Sequence, residues 1–253
     1  MNMKRTVKVL LIVCALSASM VGAQEQMKPW TKWSEEYATK ILENSPWAQT
    51  QVQTDAALMF PNAGQFIIIP ERSALDTSSP PDLALSANSA SYVDYYIRFL
   101  SAKPVRQAFA RVAELHQQNA DPQLLKGLRD FVESKFDQWI LVAITFESKN
   151  QRFSGPVMQL FNGATVGTLK NNTFLELNNG KRLFLEDYKA PSSDGLGAKF
   201  MFPRTVNGVP FIAAESGKVR FFAKLTSSEA SRPLILNMVF KVSDFRYEGS
   251  LEY

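Results

Sequence analysis

The residues Trp139 to Glu147 read Trp-Ile-Leu-Val-Ala-Ile-Thr-Phe-Glu, with no charge until the last position. The run is rich in β-branched and aromatic side chains and is short for a helix. It predicts a strand buried on both faces, in the middle of a sheet. Tyr92 to Leu100 shows the other kind of strand. Val93, Tyr95, Ile97 and Phe99 fall on one face; Tyr92, Asp94, Tyr96 and Arg98 fall on the other. That second face is polar and aromatic together, so it is either solvated or covered by another element.

Helical spacing frames these strands. Trp33, Tyr37, Ile41 and Leu42 form a stripe that Thr31 or Ser34 can cap, and Asn44-Ser45-Pro46 ends it. Trp47 then leads a strand through Asp55. Pro104 suits a first helical turn, and Val105, Ala108, Phe109, Val112 and Leu115 follow as a stripe. Asp121-Pro122 starts a second helix with Leu124, Leu125, Leu128, Phe131 and Val132 inward. The short joint between the two predicts an αα-hairpin lying on the sheet. Phe66 to Ile69 reads as a short strand closed by Pro70. Residues 71–90 have neither period and read as a long exposed loop.

After Phe146 the texture changes. Val157 to Leu169 has a loose helical pattern weakened by Gly163 and Gly167. Asn179-Gly180 and Asn207-Gly208 are each flanked by strand-like runs, a hairpin signature. Pro203 marks its strand as an edge candidate. Lys218 to Leu225 alternates, with Val219, Phe221, Ala223 and Leu225 set against Arg220, Phe222 and Lys224. Leu234, Leu236, Met238, Phe240 and Val242 make another buried face, and Arg246 to Tyr253 reads as a closing strand. The fold class is therefore α+β: a mixed or antiparallel sheet covered by an N-terminal helix and an αα-hairpin, with a hairpin-rich β C-terminal half.

Composition alters the picture at one end. Lys4, Arg5 and Lys8 precede an apolar stretch from Val9 to Ala15, and Val21-Gly22-Ala23 supplies small residues. This is the pattern of a secretory signal peptide, residues 1–23, cleaved after Ala23. Ser17 and Ser19 interrupt it, and it is short for a membrane anchor of about 20 apolar residues. Removing it takes away three of the 28 basic side chains and none of the 24 acidic ones, leaving a net charge of +1. The support for a nucleic-acid partner goes with it. So does the single cysteine, Cys14, and the rest of the chain must hold together without a disulfide. No stable membrane span is expected in residues 24–253, which read as a single α+β domain or two packed halves meeting near residue 150. The location expected is periplasmic or secreted.

Three stretches carry a resemblance. They are the Trp-x-x-Trp opening that runs into Asn44-Ser45-Pro46-Trp47-Ala48, the segment Arg98-Phe99-Leu100-Ser101-Ala102-Lys103-Pro104-Val105-Arg106, and the ending from Val219-Arg220-Phe221 through Tyr247-Glu248-Gly249-Ser250-Leu251-Glu252-Tyr253. Together they resemble a group of uncharacterised exported proteins of Acidobacteria-type bacteria. The resemblance implies export and a single unit; it brings no activity, cofactor or catalytic residue.

The residues themselves name no chemistry. The one histidine, His116, lies late in a helix beside the apolar stripe, where a capping or partly buried role is the simpler account. There is no Gly-x-Ser-x-Gly elbow, no set of metal ligands, and no lysine in the segment Gly163 to Gly167 to reach a phosphate. No catalytic residue, metal or cofactor is assigned. The most suggestive polar group is Asp94, Tyr96 and Arg98 with Arg106 nearby, which either holds an anionic ligand or pairs internally. The expected function is an exported, non-enzymatic binding or scaffolding protein, with a protein partner or a glycan of the cell envelope. The alternative is a carboxylate-dependent hydrolase of polysaccharide or cell wall, which needs only two facing acids. A third option is a small-molecule carrier with its pocket between the helical pair and the sheet.

Overall fold

A computed structural model describes residues 28–63, 92–117, 122–228 and 230–253. The expected signal peptide, the strand at Phe66 to Ile69, the loop at 71–90 and the Asp121 cap lie outside the described residues.

Helix α1 spans Glu35–Glu43 and starts on Ser34, whose hydroxyl accepts the Tyr37 amide at 3.2 Å. Strand β1, Ala48–Gln53, follows, then the short helix α2, Ala56–Met59. Strand β2 is Val93–Phe99, helix α3 Lys103–His116, helix α4 Pro122–Glu133 and strand β3 Trp139–Ser148. The loose helical segment resolves into α5, Ser154–Asn162, and α6, Val166–Leu169. Gly163 ends the first, and a Thr165–Thr168 capping box starts the second. The remaining strands are β4 Thr173–Leu177, β5 Arg182–Phe184, β6 Asp187–Lys189, β7 Ala198–Pro203, β8 Thr205–Val206, β9 Val209–Pro210, β10 Lys218–Leu225, β11 Leu234–Lys241, β12 Arg246–Tyr247 and β13 Ser250–Leu251.

Two antiparallel sheets carry the fold. One has the order β1-β2-β3-β7-β6, the other β11-β10-β4-β5. The apolar run at 139–147 is the centre strand of the first, and Ile140 to Ile144 are buried at every consecutive position. Strands from before and after residue 150 share this sheet, because β3 pairs with β7. Gly197, at φ +79°, leads into β7. A Cβ there would sit 2.1 Å from the Ile144 carbonyl oxygen, so the close approach of the two strands requires glycine.

The sheets pack face to face. Val93, Tyr95, Ile97 and Phe99 of β2 point at Phe221 and Phe240 of the second sheet's neighbourhood, with Phe99 and Phe240 edge to face at 5.0 Å and Phe200 and Phe221 at 5.6 Å. Edge-to-face geometry is the favourable arrangement of ring quadrupoles. Phe161 of α5 enters the same layer beside Tyr95 and Phe146. On the first sheet's other face, the β1 and β2 part lies under α1 and α3, while Lys199, Met201 and Lys189 on β7 and β6 stay half-buried or exposed. Of the αα-hairpin, α3 touches the sheet through Phe109 over Arg98, while α4 rests on α3 and buries only Val132.

Three local expectations change. Pro203 does not mark an edge strand, since β7 lies between β3 and β6. Arg204 donates its amide to Gln138 on the β3 side, so Pro203 faces the opposite side, beyond the last β6 partner at Met201. Its missing N–H therefore removes no ladder bond. The run from Lys199 to Val206 is two strands, β7 and β8. The stretch Arg246 to Tyr253 is a two-residue hairpin turning at Glu248 (φ +49°) and Gly249, not one strand.

The edge of the second sheet is closed in an unusual way. Gln49, Gln51 and Gln53 of β1 share a face with Ile97, Tyr95 and Val93, which is the face toward the second sheet. Gln49 donates its side-chain amide to the Val239 carbonyl at 3.0 Å, and Gln51 to the Ile235 carbonyl at 2.7 Å. The Gln51 oxygen also accepts the Asn237 amide at 2.8 Å. Two glutamine side chains thus stand in for a neighbouring strand along β11 and satisfy its outward backbone groups.

Candidate interaction face

The residues singled out from sequence divide between two places. Arg98 is 6% exposed beneath the helices. Its Nε donates to the Leu42 carbonyl and its guanidinium to Thr145 Oγ1, each at 2.5 Å, and it lies against the Tyr96 and Phe109 rings. Burial lowers its pKa to about 10, against the raising influence of Glu43 and Tyr96. Tyr96 reaches the other way, donating to Glu147 at 3.2 Å. Burial first, then Glu43 and Glu147, pushes its phenol up to about 12. Asp94 sits opposite Glu147 at the end of the sheet that emerges into solvent. Arg106 donates to the Ser101 and Val132 carbonyls and stacks on Phe136, with burial lowering its pKa. The four side chains do not form one site. Arg98 and Arg106 fasten backbone carbonyls in separate surroundings. The space between helices and sheet is occupied by Arg98 and Phe109. His116 is an exposed partner of Glu35 at 2.8 Å.

The four-stranded sheet offers a different surface. Its inner face meets the first sheet, and on its outer face the side chains other than Phe174 are half-buried or exposed. Antiparallel register places opposed residues on one face, so the side chains fall into rows. One row is Phe184, Phe174, Phe222 and Asn237, running from β5 across β4 and β10 to β11. The next is Arg182, Glu176, Arg220 and Val239. Lys224 lies opposite Ile235, and Lys218 opposite Lys241.

These rows brace each other. Phe174 and Phe222 stack at 5.0 Å, and Phe184 meets Phe174 at 5.8 Å. Arg182 lies 4.4 Å over the Phe174 ring, and Arg220 lies 5.6 Å from it. Glu176 accepts from both, from Arg182 in a short contact and from Arg220 at 2.6 Å. The Arg182 hydrogen bond, with help from Arg220, holds the Glu176 carboxyl below its ordinary range. Yet large apolar side chains stay in solvent: Phe184 is 45% exposed, Ile235 45% and Val239 46%. Five cations share the face (Arg182, Lys218, Arg220, Lys224 and Lys241) with one carboxylate, Glu176, which holds Arg182 and Arg220, while Lys241 pairs with Asp244 just beyond β11 at 3.2 Å.

The alternation at 218–225 had placed Arg220, Phe222 and Lys224 on one face. Their neighbours Phe174, Glu176, Arg182 and Phe184 were not foreseen, because β4 and β10 are distant in sequence. Among the described residues, no group of three or more His, Cys, Asp or Glu could hold a metal, and no helix is long and apolar enough to cross a membrane. Comparison with protein-family models, curated proteins and solved structures gives no match to the chain.

Proposed function

We propose that this is an exported, non-enzymatic binding or scaffolding protein that presents the outer face of its four-stranded sheet to an acidic protein partner. The observation that carries the reading is the exposure of Phe184, Ile235 and Val239 among five cations with one already occupied carboxylate. Phe184 stands at the β5 edge of this face and Ile235 and Val239 at its β11 edge, with half-buried Phe222 between them, so a partner lying across the strands could cover all of them. The flanking cations select the sign of the partner's charge and steer its approach.

The face itself, rather than a sheet edge, is the docking element. Gln49 and Gln51 already occupy the β11 edge, and β5 and β6 are three residues each. The face spans about 14 Å across its strands and about 27 Å along β10 and β11, room for about five turns of helix. An acidic amphipathic helix fits it: its apolar stripe meets Phe222, Ile235 and Val239, and its carboxylates meet Lys218 and Lys224. This reading supports the periplasmic or secreted location expected from the leader pattern, with the partner in the same compartment.

The hydrolase alternative calls for a carboxyl held protonated to act as acid. Among the described residues, the carboxylates with shifted proton affinity are Glu147, Glu176, Asp194 and Asp244, and all four are lowered by hydrogen bonds and cations. That direction suits ion pairing.

The test is affinity capture in the exporting cell with the tagged protein and with an Ile235→Asp/Lys224→Glu variant, read by mass spectrometry. The expected result is one stoichiometric protein with an acidic amphipathic segment, lost with the variant and at high salt. Recovery of glycan alone, or capture indifferent to the variant, overturns the proposal.

A further inference from the structure

A second site lies where the end of α1 meets the β12–β13 hairpin. Asn44 closes α1, and Ser45-Pro46 turns the chain into Trp47. The Trp47 indole donates to the Glu252 carbonyl at 2.8 Å and meets the Tyr247 ring edge to face at 6.1 Å. Tyr247 in turn donates its hydroxyl to Gln107 of α3 at 2.7 Å. These long-range bonds hold open a cleft of about 330 Å³, walled by Tyr37, Ile41, Pro46, Trp47, Pro104 and Tyr247. The size falls within the range of small-ligand pockets, about 300–1,000 Å³.

The rim decides what the cleft would take. Lys40 and Arg246 both line it and both are exposed. Among the described residues, neither forms an ion pair or a side-chain hydrogen bond. The carboxylate in the lining, Asp244, is already held by Ser243 at 2.9 Å and Lys241 at 3.2 Å, and these bonds lower its pKa. The last-turn carbonyls of α1, which would repel an anion, are occupied as well. Asn44 donates its amide to the Lys40 carbonyl at 2.9 Å, and the Ser45 hydroxyl donates to the Ile41 carbonyl at 2.8 Å. The cleft therefore combines ring-bearing apolar walls with two cations that have no partner.

We propose that this cleft binds a carboxylate carried on an apolar, ring-bearing body, with the ring against Tyr37, Trp47 and Tyr247 and the carboxylate between Lys40 and Arg246. Two sources share that chemistry, a free aryl carboxylic acid and the carboxyl terminus of a peptide ending in an aromatic residue. The cleft adjoins the sheet face through the Lys241–Asp244 pair, but its walls and its two cations, Lys40 and Arg246, are not part of that face, and the titration is made without the acidic partner proposed there.

The test follows the Trp47 indole signal of the ¹⁵N-labelled protein during titration with three probes: 3-phenylpropionate, its neutral amide, and an N-acetylated tetrapeptide ending in phenylalanine. A saturable shift with a carboxylate probe is expected, at least about tenfold weaker for the amide and weakened by salt, as removal of a charge-assisted contact predicts. Tighter binding of the tetrapeptide assigns the site to peptide termini; tighter binding of the small acid assigns it to free acids. The Lys40→Gln/Arg246→Gln variant should lose at least tenfold for the acid while keeping the free protein's spectrum. No saturable shift, equal binding of acid and amide, or full affinity in the variant overturns the proposal. The acid–amide comparison uses the unaltered chain, so it stands whatever the variant does to folding.

Discussion

The two sheets each turn one face away from the other, and the contrast between those outer faces is instructive. On the five-stranded sheet one outward cation, Arg98 of β2, is sealed under α1 and α3 and fixed to Leu42 and Thr145, while Lys199 and Lys189 of the same row, on β7 and β6, pair with Asp194 and Asp187. On the four-stranded sheet the outward cations lie in water, braced over Phe174 and Phe222. The same alternation of apolar and polar positions produces both. What differs is whether the chain supplies its own cover. Where it does, a charged side chain becomes a structural fastener that must satisfy carbonyls. On the four-stranded sheet Arg182 and Arg220 brace Glu176 instead, and Lys218 and Lys224 extend from a face that no described helix seals. The interaction proposed above therefore uses the four-stranded sheet's outer face, although the sequence drew attention to Arg98 on the other sheet.

The largest effect should come from alkali. Burial raises the phenols of Tyr95, Tyr188 and Tyr247, and Tyr96 is pushed to about 12. A group with a raised folded pKa binds more protons in the folded state, so its stability is complete below the unfolded value near 10 and is lost above it. Unfolding monitored by circular dichroism should set in as pH rises past about 10, with phenolate absorbance appearing in step. Phenolate formation well ahead of unfolding would show that the covered region is looser than described. The outer face of the second sheet carries Phe rather than Tyr and adds no phenol to this transition.

Next in size is Arg98→Ala. It leaves the Leu42 carbonyl and Thr145 without their donor and opens a gap under Phe109, for a loss of about 2–4 kcal/mol in urea denaturation. A loss under about 0.5 kcal/mol would mean that the fastener is dispensable. Gln51→Ala should be milder, about 1 kcal/mol. Its clearer sign would be concentration-dependent association by light scattering, as the β11 edge becomes available for pairing. The smallest effect on stability is expected from Ile235→Thr on the bare face, within about 0.5 kcal/mol of the parent. That same change should weaken capture of the acidic partner. If it destabilised the fold as much as Arg98→Ala, the bare face would be core in disguise.

Much of the frame was legible before any coordinates. Consecutive burial at 140–144 follows from an uncharged β-branched run, and the hairpins at Asn179-Gly180 and Asn207-Gly208 follow from the positive φ that Gly180, Asn207 and Gly208 adopt. The parity of β2 and β10 was legible too. What period alone does not encode is the choice between strands far apart. Nothing local says that β4 lies beside β10, so the Phe184–Phe174–Phe222 row stayed hidden although each of its members was in view. For the same reason Asp94 and Arg98 looked like a pair. They share a face, but the helices cover one end of that face and leave the other to solvent. The cleft at Trp47 was equally invisible, since its walls come from α1, α3 and the hairpin at 246–251.

The glutamine seam between β1 and β11 has a consequence for how this protein would age. Hydrolysis of the Gln49 or Gln51 amide yields a glutamate, and a carboxylate has no proton to offer the Val239 or Ile235 carbonyl. A bond would become a repulsion between oxygens, and the two sheets would part first along that line. A single slow deamidation, adding one negative charge and one dalton, would turn a sealed margin into an open one.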